Sequence, residues 1–113
     1  MKEDLKRIIE HYGVMPQLKY FQSEVFELNE AILNYEYESQ GMYPSIDPDV
    51  YYEARDLKQH IAEEIADVLV MLKQFQYYYE IEDKKIEEVM KYKIERQLNR
   101  IKGEENENKT NNN

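Results

Sequence analysis

The chain contains no cysteine, and only 3 glycines and 3 prolines occur among its 113 residues. The lack of cysteine excludes disulfides, thiolate-ligated zinc and a thiol nucleophile. The scarcity of glycine and proline, beside abundant Glu, Lys, Leu and Ile, points to an all-α fold. Basic residues are also in deficit, with Lys+Arg 15 against Asp+Glu 24 and a formal net charge of -9. A general nucleic-acid surface needs a basic stripe, so that class is argued against, while a small anion held locally is not. Long apolar runs are absent too: the longest, Val68 to Leu72, is far too short to span a bilayer. The opening MKEDLKRIIEHYG is amphipathic and charged, without the apolar stretch or cleavage site of a signal peptide. The expectation is a soluble, cytoplasmic protein with no membrane partner. A chain this short is one domain with a modest core and gains from oligomerisation.

What is present is helical periodicity. Residues 3–12 read as a first helix, with Leu5, Ile8, Ile9 and Tyr12 on one side and Gly13 closing it. A second helix runs from Met15 or Pro16 to Tyr37, with an apolar stripe of Val14, Leu18, Phe21, Val25, Leu28, Ile32 and Tyr35. That stripe alternates spacings of four and three, the pattern of a helix laid along a neighbour. Glu38 to Asp47 reads as a loop carrying Gly41, Pro44 and Ser45. Asp47 as N-cap and Pro48 at the first helical position then start a third element that reaches Tyr79, with a break expected near Asp56 to Lys58. Its stripe is Ile61, Ile65, Val68, Leu72, Phe75 and Tyr79. A last helix covers Glu82 to Ile101 with Ile86, Met90, Ile94, Leu98 and Ile101 inward, ended by Gly103. Residues 103–113 are polar and expected to be disordered. The fold expected for residues 1–102 is all-α, an antiparallel bundle of four to five helices completed by oligomerisation.

Two acidic motifs interrupt these stripes, Glu24-x-x-Glu27 and Glu64-x-x-Asp67. Residues three apart share a helix face, so each motif aims two carboxylates the same way. All four acids precede a stripe residue, on one flank, and an antiparallel pair of helices would bring both motifs to one edge of the seam. Ordinary surface acids would be expected to have basic partners, yet no Lys or Arg lies three or four positions from any of the four. Unpaired like charges at that spacing repel by a few tenths of a kcal/mol each, about 0.2–0.5. A hard divalent cation with a preference for oxygen ligands, Mg²⁺ or Mn²⁺, relieves this. Lys93, Arg96 and Arg100 share one face of the last helix without an acid three or four positions before them. They either complement the helix dipole or reach phosphates. A di-iron site is disfavoured because neither His11 nor His60 follows a Glu by three, and no glycine-rich phosphate loop is evident. Tyr35, Tyr37, Tyr43, Tyr51 and Tyr52 serve either core packing or base stacking.

In these residues the chain resembles the MazG-like, all-α nucleoside triphosphate pyrophosphohydrolases, whose signature is E-x-x-E on one helix and E-x-x-D on the next. The matching stretches are S-E-V-F-E-L-N-E-A-I and A-E-E-I-A-D-V-L-V-M-L, preceded by Gln17-Leu18, and the resemblance covers roughly residues 13–101. Ser23 stands where the family often has a further Glu, and the gap from Glu27 to Glu64 is longer than usual. The resemblance implies hydrolysis of a nucleoside triphosphate between the α and β phosphates, giving a monophosphate and pyrophosphate. It also implies Mg²⁺ held by Glu24, Glu27, Glu64 and Asp67, phosphate contacts from Lys93 and Arg96, and a homo-oligomer, dimer or tetramer. The competing class is a non-catalytic helical interaction module whose acids serve solubility or partner choice.

Overall fold

The computed structural model describes residues 1–39 and 54–111. Four helices make up the described chain: α1 (Lys2–Tyr12), α2 (Val14–Ser39), α3 (Ala54–Tyr78) and α4 (Asp83–Asn111). No strand occurs among the described residues, so the fold is all-α. The chain divides into two compact units, Met1–Tyr79 and Glu80–Asn113.

In the first unit α2 and α3 form an antiparallel pair. Gln17 bonds Gln74, the rings of Phe21 and Phe75 meet edge to face, and Lys58 lies over the ring of Tyr35. As position rises along α2 the partner falls along α3. The seam between them is rotated from the one the apolar spacing predicts. Phe21, Leu28 and Tyr35 face it as expected, and so do Ile61, Val68 and Phe75. The intervening places belong to Gln17, Glu24 and Ala31 on α2 and to Leu57, Glu64 and Met71 on α3, all buried. Leu18, Ile32, Ile65, Leu72 and Tyr79, expected inside, are exposed. The spacing of four and three is preserved, but every second rung sits one residue earlier in the sequence.

α1 closes the unit by burying Leu5 and Ile9, the latter at 0 % exposure, while its first residue Lys2 sits over the ring of Tyr77 near the end of α3. Removing two such aliphatic side chains from water stabilises the packing by about 1.5–3 kcal/mol each. The change of direction into α2 is made at Gly13, whose φ of 92° and ψ of 154° lie in a region open essentially to glycine alone. Its N–H donates to the carbonyl of Ile9 at 2.8 Å, and its own carbonyl accepts from Gln17 N–H at 3.2 Å. Gly13 thus ends α1 and starts α2 within one residue.

Three boundaries differ from the sequence expectation. α2 continues through Glu38 to Ser39. α3 runs unbroken through Asp56 to Lys58, because Asp56 lies in its first turn, where a carboxylate meets the positive end of the helix dipole, and Leu57 is anchored in the seam. The expected cap Asp47, the start at Pro48 and the tyrosines Tyr43, Tyr51 and Tyr52 lie outside the described residues. α4 passes through Gly103 and continues to Asn111 instead of giving way to a disordered tail. Lys109 in its last turn suits the dipole, and Glu105 stands four positions before it, a favourable helical spacing. The residues expected inward on α4, Met90, Ile94, Leu98 and Ile101, are exposed.

Candidate metal centre and adjoining cavity

The rotation of the seam changes the place of the acids. Glu24 and Glu64 do not stand on its flank: they occupy it, at 5 % and 9 % exposure. Glu27 and Asp67, three residues on in each helix, remain exposed beside them. Carboxylate oxygens of Glu24, Glu27 and Glu64 all lie within 4.8 Å of one another. Asp67 is not part of that cluster; it lines the adjoining cavity with Glu24, and its charge acts on the Glu24 carboxyl. The two motifs therefore converge, although two of the acids sit deeper than spacing alone indicates.

Burial has an electrostatic cost that local contacts offset only in part. The Glu24 carboxyl is pushed above the usual glutamate range, first by loss of water and further by the charges of Glu27 and Asp67. The Tyr20 hydroxyl opposes this by donating a hydrogen bond to Glu24. That bond, followed by the Glu24 charge, raises the Tyr20 phenol in turn. On the other helix His60 Nε2 approaches Glu64 Oε1 at 3.9 Å, and its Nδ1 lies 4.0 Å from Glu63 Oε2. Neither contact reaches the second oxygens. Glu24 Oε2 and Glu64 Oε2 are buried without a hydrogen-bond partner among the described residues. Polar atoms in that state are rare in folded proteins and call for an explanation such as an ion. An all-oxygen donor set of this charge fits a hard cation of the Mg²⁺ or Mn²⁺ type and offers nothing to a soft metal.

A cavity of about 630 Å³ opens beside the acids, walled by α1, α2 and α3. Glu24 and Asp67 line it together with Tyr12, Gln17, Tyr20 and Gln74, over an apolar surface from Ile8, Val70 and Met71. The partial exposure of Ile8 and Tyr12, expected on the core side of α1, is explained by their position on this wall. Gln17 and Gln74 were not legible as site residues from sequence. The signal for Gln17 is its place one heptad before Glu24 in the seam, recognisable only once the seam is known.

Lys93 and Arg96 lie in the second unit, on α4, and both are exposed. The Arg96 guanidinium rests 6.0 Å from the ring centre of Tyr92, one turn earlier. No described helix is long and apolar enough to cross a membrane. In comparisons with known proteins, no family model matches the chain, and neither a curated protein nor a solved structure matches it.

Proposed function

We propose that the chain is a Mg²⁺-dependent nucleoside triphosphate pyrophosphohydrolase of the MazG-like type, with Mn²⁺ able to replace Mg²⁺. The observation that carries the reading is the pair of orphaned, buried oxygens on Glu24 and Glu64, within a three-carboxylate cluster at the wall of a ligand-sized cavity. Keeping two carboxylates in a helix seam with one oxygen of each unpaired is destabilising, and a site that binds a cation gives that arrangement a purpose.

Glu24, Glu27, Glu64 and Asp67 would hold the ion, which when bound supplies positive charge to offset that of the substrate phosphates. Glu24, whose carboxyl is raised by burial, would have to be deprotonated to serve as a ligand, so ion binding would compete with its proton. One carboxylate of the set accepts the proton of the attacking water. That water adds to a phosphorus of the α–β linkage, the bridging P–O bond breaks, and the products are a nucleoside monophosphate and pyrophosphate. Tyr20 orients Glu24 through its hydroxyl. The apolar faces left exposed at Leu18, Ile65 and Leu72 support assembly into a dimer or tetramer.

The test is a panel of ribo- and deoxyribonucleoside triphosphates with Mg²⁺ or Mn²⁺, scored for pyrophosphate. At least one should be hydrolysed, and Glu64→Gln should lower kcat by about 10²-fold or more while leaving helicity intact. Lys93→Ala and Arg96→Ala should raise KM if those cations meet the phosphates. A panel without turnover, joined to a melting temperature indifferent to Mg²⁺, would sink the proposal in favour of a non-catalytic helical module.

A further inference from the structure

We infer that the buried carboxamide pair Gln17–Gln74 reads the edge of a nucleobase held in the cavity, an inference that rests on the nucleotide reading above. Gln17 Nε2 donates to Gln74 Oε1 at 2.8 Å, tying α2 to α3, and Gln74 Nε2 points to the weak acceptor Met71 Sδ at 3.6 Å. A primary amide has two N–H donors and a carbonyl oxygen with two lone pairs. The mutual bond uses one N–H of Gln17 and one lone pair of Gln74, and both side chains line the cavity. Gln17 is only 8 % exposed and Gln74 2 %. A few polar groups placed in a mainly apolar cavity wall are what orients a small-molecule ligand, and the two carboxamides occupy that position here. An adjacent donor and acceptor on Gln17 match the paired donor and acceptor that a nucleobase presents along one edge.

The remaining wall suits the same occupant. Tyr12 and Tyr20 bring aromatic rings to the cavity, and Ile8, Val70 and Met71 bring apolar surface, the mixture on which a flat heterocycle stacks. The volume, about 630 Å³, falls within the range of small-molecule sites. Position along α2 also fits. Gln17 and Glu24 are two helical turns apart, about 10 Å of rise, so a base at Gln17 can leave its sugar and phosphates directed to the carboxylates.

The test uses the full chain, labelled with ¹⁵N and with the side-chain amides of Gln17 and Gln74 assigned by triple-resonance spectroscopy. Adenosine, guanosine, cytidine, uridine and thymidine, uncharged and without added metal, are titrated in turn. At least one should shift both amide signals in a saturable manner. Gln17→Met should remove that response and raise KM for the corresponding triphosphate at least tenfold, while the Mg²⁺-induced rise in melting temperature stays as in the unaltered chain. If no nucleoside moves these amides, the inference is overturned, even where triphosphates are hydrolysed. If the amides respond but no triphosphate is hydrolysed, the base subsite stands and the proposed activity falls. The titration of the unaltered chain decides the question even where the variant fails to fold.

Discussion

Glu24 binds its proton more tightly than an exposed glutamate because burial removes water from the charged form, and Glu27 and Asp67 add repulsion. The folded-state pKa therefore lies above the unfolded one. Between the two values the folded chain carries the extra proton, so stability falls as pH rises through that window. The metal-free protein should gain stability as pH is lowered through that window toward the ordinary glutamate value. Glu24→Gln should remove most of this dependence and melt higher at neutral pH. Saturating Mg²⁺ should oppose the acid-side gain, because the ion binds the deprotonated carboxylate. Melting curves over pH, with and without Mg²⁺ and for both proteins, check all three statements. If Glu24→Gln leaves the profile unchanged, the strained carboxyl lies elsewhere.

Among the elements, α4 offers a direct test of where it ends. A Cβ at Gly103 would meet nothing within 4 Å, and its backbone is not among the positive-φ positions. Gly103→Ala should therefore stabilise α4 by about 0.5–1 kcal/mol and raise the helical circular dichroism signal. A glycine that capped the helix would give the opposite sign. The four helices and the antiparallel pairing were largely legible in the sequence, because periods of four and three survive wherever the stripe residues are apolar. The phase of the stripe was not. Glu24 and Glu64 occupy seam rungs, so a search for apolar residues slides to Val25 and Ile65 next door and reads the acids as flanking. A polar site inside a helical seam thus misdirects the pattern that would locate it. Gly103 misled for another reason: glycine is a common helix stop, but nothing in α4 asks it for a left-handed backbone.

For the whole molecule, charge and apolar exposure pull in opposite directions. The net charge of -9 favours a dispersed chain, yet Leu18, Ile32, Ile65 and Leu72 are exposed on the first unit and Met90, Ile94, Leu98 and Ile101 on the second. Large aliphatic side chains grouped in this way are characteristic of surfaces that associate. Sedimentation equilibrium should give a mass of two or four chains. Leu72→Glu or Leu98→Glu should shift it toward one chain, and a monomer at all concentrations in the unaltered protein would refute assembly. The reading of one domain came from length alone, which says little about how contacts divide along the chain. The two-unit organisation is visible only in the packing.

The antiparallel register has one more consequence. A step of 40 positions carries Glu24 onto Glu64, Glu27 onto Asp67, Phe21 onto Ile61 and Leu28 onto Val68. The antiparallel pair thus carries one acid pattern twice, read in opposite directions along the seam. The side chains beside that pattern are not repeated. Tyr20 on α2 corresponds to His60 on α3, a neutral donor against a titratable base, and α1 adds Ile8 and Tyr12 to the wall on the Tyr20 side. A repeated acid motif is thereby given a direction, and a ligand with unlike ends has one orientation in which each end meets its match.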